Sequence, residues 1–317
     1  MRGLSPAIRV ANYVWIMFPP WLLFPISAVQ FLSLYMGMQA LADSSGLVFG
    51  WHAAVGTATT IIWTLLIRVE DDLADADHDL RLGRAGDPRY RDRPIVSGAI
   101  TVQELRRLYA GGLTTMLLIN LAFGVSVMFF ACAAGWAITW LGFRWFYIPS
   151  LRRHASPLAF LARKLLTILL GIYALAVFVD AFGYDAVIPW FIPLLLAPWA
   201  GVSAWETARK IRVPEDETDY DTYSKQLGWR RAVWLPVLFT LISAVCVTAV
   251  SRAAGLGATF PLILLASAAF AVTAYLRFRI APTRSHANLR PYAEFYGLVA
   301  HGGLTLALVL AFGVTVA

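Results

Sequence analysis

Apolar residues in this chain fall into long runs, not into the one-sided stripes of a half-buried helix. A helix that crosses a bilayer needs about 20 such residues. Runs near 20–41, 46–68, 105–123, 125–143, 158–180, 187–205, 232–250, 256–276 and 292–316 predict nine spans, the third and fourth parted only by a short turn at Gly124. No polar stretch is long enough for a separate soluble domain, so residues 1–317 read as one polytopic all-α membrane domain. The first run starts late, is full length and ends in Ala42-Asp43-Ser44-Ser45 without a small-residue cleavage site, which argues against a cleaved signal peptide.

Composition agrees with that pattern. Hydrophobic residues make up 59% and charged residues 14% of the chain, against roughly 25% charged in a soluble domain. Cys132 and Cys246 both lie inside apolar runs and are expected to pack as small hydrophobes. Charge then orients the helices. Of the 26 Lys and Arg residues, the odd-numbered connections hold only Arg252, and the other 25 lie at the N-terminus and in the even ones, counting those at the adjoining helix ends. Basic residues gather on the cytoplasmic side, so the N-terminus and the large polar loops are predicted to be cytoplasmic, in a bacterial cytoplasmic membrane with lipid around it. The net charge of +7 is not clustered on a polar domain, and nucleic acid is excluded as a partner.

Two of the cytoplasmic segments carry candidate chemistry. Residues 68–107 follow the second run and contain Asp71, Asp72, Asp75 and Asp79. If the second helix continues, Asp72, Asp75 and Asp79 share one face at i, i+3 and i+7. Like charges so spaced destabilise a helix, and a cation would offset that cost. Hard oxygen ligands suit Mg²⁺, although a solvated acidic helix end is the alternative. His78 reads as a polar neighbour. Arg93 and the arginines around it can serve as forks for phosphate oxygens or as topology anchors. Thr101 followed by Glu104 predicts a capping box at the next helix start. Residues 205–231 follow the sixth run and hold Glu206, Arg209, Lys210, Arg212 and Glu215, a mixture that suits either Mg²⁺ with diphosphate or internally paired ions. Pro189, Pro193 and Pro198 just before it mark a kink or a cavity lining.

Together these segments resemble the UbiA superfamily of intramembrane prenyltransferases. Asp71-Asp72-Leu73-Ala74-Asp75-Ala76-Asp77-His78-Asp79 is similar to its Asn-Asp-x-x-Asp-x-x-x-Asp motif, with Asp71 for the leading Asn. Arg93-Pro94-Ile95-Val96-Ser97-Gly98 is similar to its Arg-Pro-x-x-Ser-Gly element, and Tyr147-Ile148-Pro149-Ser150-Leu151-Arg152-Arg153 to its Tyr-x-Pro-x-Leu-Lys-Arg element. The second motif departs from the pattern: after Glu206, Arg209 stands where the next acid belongs, and Glu215 follows nine residues on.

The resemblance implies about nine helices around a central cavity, an allylic prenyl diphosphate as substrate, Mg²⁺ as cofactor and a lipophilic acceptor. It further implies that Asp71, Asp72, Asp75, Asp79, Glu206 and Glu215 hold metal, and that Arg93, Arg152, Arg153, Arg209 and Lys210 hold the diphosphate. Trp136, Trp140, Tyr147, Trp199 and Trp205 are the candidates for π faces around an allylic cation. A terpene cyclase acting on the same diphosphate is the second reading, made credible by the altered second motif. A divalent-cation transporter is the third; its weakness is that transport sites lie near the bilayer midplane, whereas these acids sit at helix ends.

Overall fold

The computed structural model describes residues 5–43, 46–145, 157–217 and 222–317, excepting the side chains at 88–89, 143–145 and 157–166. Helices occupy each of the nine predicted runs. They are α2 (Pro20–Ala42), α3 (Trp51–Arg84), α5 (Val102–Leu121), α6 (Val127–Trp145), α7 (Pro157–Phe182), α8 (Phe191–Arg209), α11 (Trp234–Ala253), α12 (Thr259–Ile280) and a last helix made of α13 (Arg290–Gly297), a π-helical stretch (Leu298–Gly303) and α14 (Leu304–Phe312). The N-terminal α1 (Pro6–Met17) precedes them, and α4 (Pro88–Arg91), α9 (Tyr223–Leu227) and α10 (Trp229–Ala232) are single turns in the polar segments.

Five of the described helices are long and apolar enough to cross a membrane: Pro20–Ala42, Trp51–Arg84, Trp229–Ala253, Thr259–Ile280 and Arg290–Phe312. That is fewer than the nine spans expected from the sequence. Charge accounts for part of the difference, since α5 opens on Glu104, Arg106 and Arg107 and α8 closes on Glu206 and Arg209. The chain is an integral membrane protein on this evidence and is almost wholly helical.

Its Cα positions divide into two compact units, residues 1–28 with 54–152 and residues 29–53 with 153–317. In the first, helices approach closely through glycines. A Cβ on Gly112 would come within 2.7 Å of the Leu66 side chain, and one on Gly135 within 2.5 Å of the Trp63 ring, so α5 and α6 both press on α3 where a side chain is missing. The buried Asn120 amide donates to Thr59 Oγ1 at 2.8 Å and to the Met116 carbonyl at 2.8 Å, which answers its burial.

The expected capping box is present. Thr101 Oγ1 accepts from the Glu104 N–H at 3.2 Å, and the Glu104 carboxylate accepts from the Thr101 N–H at 2.9 Å. Arg9 of α1 also donates to that carboxylate, from Nε at 3.0 Å and through a second ion-pair contact, and so ties α1 to the start of α5. The Arg9 hydrogen bond first, and then the Thr101 N–H, hold the Glu104 carboxyl down at about 2 from an ordinary 4.5. A carboxyl depressed on folding contributes stability that is complete above its unfolded value and is lost as pH falls toward the folded one. Acid titration of thermal stability in detergent should therefore show a loss from about pH 4.5 down to about 2, and Glu104→Gln should flatten that slope. An unchanged slope in the variant would assign it to other groups.

In the second unit, α8 packs along α11: Ala200 and Ala204 form a buried cluster with Phe239, with Trp199 and Ile242 against it. Ser243 of α11 donates to the Ala197 carbonyl of α8 at 3.0 Å. After α2 the chain forms a short strand, β1 (Leu47–Phe49), which pairs in parallel with β2 (Val314–Val316) after the last helix. The buried Gln39 side chain clasps β1, accepting from the Val48 N–H at 2.7 Å and donating to its carbonyl at 3.1 Å. Cys132 is buried and Cys246 half-buried, both as free thiols.

Candidate active site

The second predicted helix does continue through the acids. At 34 residues, α3 is about 50 Å long, well beyond the roughly 30 Å of a hydrocarbon core. Asp72 lies about 30 Å along it, at the far end of the apolar stretch. Helical geometry puts Asp72, Asp75 and Asp79 on one face, as their spacing required, but their surroundings differ. Asp72 and Asp79 are buried, whereas Asp75 is exposed, as is Asp71 beside the stripe.

Each buried acid has a cationic partner. Arg68, one turn earlier, reaches Asp72 Oδ1 at 2.9 Å and Asp71 Oδ2 at 3.4 Å. Tyr13 of α1 donates its phenol to Asp72 Oδ2 at 2.7 Å. Burial, and then this hydrogen bond, push the Tyr13 phenol above its usual range, so it stays a donor at any physiological pH. Arg93 pairs with Asp79 through Oδ2, while Asp79 Oδ1 is buried without a hydrogen-bond partner among the described residues.

Arg93 is itself positioned by its loop. Its guanidinium carbon stands 4.9 Å over the Tyr90 ring, and the turn that follows is closed by Ser97 N–H to the Arg93 carbonyl at 2.9 Å and Ile100 N–H to the Pro94 carbonyl at 3.2 Å. Gly98 ends the turn with φ of +74°, a left-handed conformation that side chains disfavour. Ile95 and Ile100 join Tyr13, Val69 and Ala76 in a buried cluster, which seats α1 and the loop beside the acidic face of α3. Val96 presses on Gly83 so closely that a Cβ there would lie 2.3 Å from its Cγ1.

Two of the expected aromatics meet in the same unit. Trp136 and Trp140 line a cavity of about 300 Å³ between α5 and α6, with Leu113, Leu117 and Tyr109. Trp136 is buried with its ring 5.6 Å from Tyr109 and 5.9 Å from Trp63. Tyr109, Tyr13 and Arg68 were not among the candidates drawn from the sequence. Arg68 carried a signal in its i, i+4 spacing to Asp72; Tyr13, 59 residues away, carried none.

In the second unit, Glu206 stands near the end of α8 and pairs with Lys210 at 3.3 Å, both side chains 15% exposed. Arg209 lies 4.9 Å over the Trp205 ring, and Trp205 Nε1 donates to Glu294 at 3.1 Å. Glu215 is exposed on a single 3₁₀ turn, Pro214–Asp216. The adjoining loop is held by Tyr223 N–H to the Lys210 carbonyl at 3.0 Å and Arg212 N–H to Ser224 Oγ at 2.9 Å. Trp199 packs edge-on against Phe239 at 5.5 Å. Only Pro198 of the three prolines falls inside the helix interior. Tyr147, Arg152 and Arg153 lie outside the described residues.

Among the described residues no three His, Cys, Asp or Glu side chains already converge as a metal-binding group. The donors nevertheless fit a hard divalent cation. They are carboxylate oxygens on one helical face, one of them buried and unpartnered at Asp79, and the arginines beside them hold the place of positive charge.

Several solved structures share this fold. An apo UbiA homologue from Aeropyrum pernix K1 matches with a TM-score of 0.61 at 19% identity, over 89% of this chain and 96% of that one. A structure of digeranylgeranylglyceryl phosphate synthase matches with a TM-score of 0.55 at 13% identity, over 96% and 99%. A UbiA homologue from Archaeoglobus fulgidus bound to DMAPP and Mg²⁺ matches with a TM-score of 0.50 at 16% identity, over 92% and 98%. At these identities the likeness is one of fold. A comparison with curated proteins finds no match. The UbiA prenyltransferase family matches residues 31–298, from the middle of α2 into the last helix, and the chain belongs to that family.

Proposed function

We propose that this protein is a Mg²⁺-dependent intramembrane prenyltransferase that ionises an allylic prenyl diphosphate and passes the prenyl group to a lipophilic acceptor, its acidic motifs facing the cytoplasm of a bacterial cell. The observation that carries the reading is the buried Asp79 with one oxygen unpartnered, beside Arg93 and on one helical face with Asp72 and Asp75. The family, and a fold relative bound to DMAPP and Mg²⁺, support it.

Bound by Asp72, Asp75 and Asp79, with Asp71, Glu206 and Glu215 as further oxygen donors, Mg²⁺ would neutralise the diphosphate and make it a better leaving group. The chain's own groups do the rest. Arg93, Arg152, Arg153, Arg209 and Lys210 bind the remaining phosphate oxygens. Tyr13 and Arg68 orient Asp72, as Arg93 orients Asp79. Trp136 and Trp140, with Tyr147, Trp199 and Trp205, offer π faces to the allylic cation and keep water from it.

Purified protein incubated with C10, C15 and C20 diphosphates should release diphosphate only when both Mg²⁺ and a lipophilic acceptor are supplied. Organic products formed with Mg²⁺ but without acceptor would make it a terpene cyclase. Metal uptake into proteoliposomes, with no diphosphate consumed, would make it a transporter.

A further inference from the structure

A lipophilic acceptor needs somewhere to lodge its polar end, and the last helix of the second unit carries the chemistry for such a place. Leu298–Gly303 winds as a π-helix between α13 and α14, a rare geometry that is frequent at functional sites. His301 lies within it, inside an apolar candidate span, where an ionisable side chain is costly to keep. Ser33 of α2 lies within hydrogen-bond reach of its ring, and Gly201 of α8 lies before its Nε2; neither is charged.

The hydrogen bonds fix which ring nitrogen carries the proton. Ser33 is buried, and its hydroxyl donates to the Gln30 carbonyl at 3.0 Å. A serine hydroxyl has one proton to give. With that proton committed, Ser33 Oγ accepts from His301 Nδ1, 3.2 Å away. Neutral imidazole carries a single N–H, so Nε2 holds the lone pair. Ser243 cannot serve it, because its own proton goes to the Ala197 carbonyl at 3.0 Å.

Nε2 faces Gly201. A Cβ at Gly201 would lie 3.7 Å from Nε2 and 3.6 Å from Ser243 Oγ, so the absent side chain leaves a methyl-sized opening in front of the lone pair. We propose that His301 Nε2, reached past Gly201, binds a hydroxyl group on a lipophilic acceptor, a phenol or a long-chain alcohol. The naming of this ligand as the acceptor rests on the prenyl-transfer reading; the hydroxyl site itself does not.

The test titrates full-length protein in detergent with para-hexylphenol and with its methyl ether, which has the same bulk but no proton to donate. Wild type should bind the phenol about tenfold more tightly, as one hydrogen bond in an apolar site provides. His301→Phe keeps an aromatic ring and should lose the preference. Gly201→Ala should lose it too, with the fold retained, because its methyl meets Nε2 at ordinary contact and alanine favours the helix. If His301→Phe does not fold, Gly201→Ala carries the test alone. Equal binding of phenol and ether by wild type, or a preference that survives in either variant, overturns the proposal. Geranyl diphosphate titrated into wild type separates the two readings. Its failure to bind, with the phenol preference intact, would remove prenyl transfer and leave the hydroxyl site. Binding of geranyl diphosphate without any phenol preference would remove the hydroxyl site alone.

Discussion

Asp72→Asn should fold and reach the membrane yet consume prenyl diphosphate roughly 10²- to 10³-fold more slowly than wild type, the scale of losing one electrostatic contact to a transition state. Asparagine still offers Tyr13 an acceptor oxygen at the position where Asp72 now receives its phenol, so the local packing stays closed. What it removes is the negative charge that faces Arg68 and that would hold a cation. Diphosphate release measured on protein of wild-type thermal stability reads the effect. Asp77→Asn changes an exposed acid off the Asp72–Asp75–Asp79 stripe and is the matched control, expected to turn over like wild type. Wild-type rates in Asp72→Asn would take this face of α3 out of the chemistry.

Arg93→Leu should destabilise the first unit by about 3 kcal/mol, the lower end of the cost of stranding one partner of a buried pair. The lower end applies because the Asp79 side chain is 4% exposed but that of Arg93 is 40% exposed, so water screens part of the interaction. The loss has a distinctive remedy. The melting temperature of Arg93→Leu reads both the loss and its reversal. Mg²⁺ should raise it more in the variant than in wild type, because the cation would replace the missing guanidinium. Arg93→Lys, which keeps the charge but not the planar contact with Tyr90, should fall between the two. A melting temperature that ignores Mg²⁺ would mean that Asp79 is not the group left bare.

How far these residues could be read from the sequence depends on whether their partners are local. The apolar runs, the passage of α3 through the acids and the Thr101–Glu104 box were all visible, because helix periodicity and capping act within a few residues. Arg68, though not among the candidates, carried a signal for the same reason. Tyr13 and Arg9 were not, since they meet Asp72 and Glu104 only after the chain has returned 59 and 95 residues later. Trp136 and Trp140 share a helical face by their i, i+4 spacing, whereas Tyr109 opposite them comes from another helix. The π-helical turn at His301 and the β1–β2 pairing also lacked a signal; each involves only a few residues that look like the rest of an apolar run. Five of the described helices pass on length and apolarity; α5 opens and α8 closes on charged residues, and a run that ends in charges reads as full length by eye although its apolar stretch is shorter.

The clasp between Leu47–Phe49 and Val314–Val316 also constrains how the chain is threaded. Two strands joined by backbone hydrogen bonds must lie in the same compartment. The chain between Phe49 and Val314 therefore crosses the bilayer an even number of times. The eight apolar runs that lie between them satisfy that parity, and so do the four helices in that interval that pass on length and apolarity. Cysteines placed at residues 46 and 313, at the two edges of the clasp, should thus be labelled together by a membrane-impermeant thiol reagent, both from outside the cell or both only after lysis.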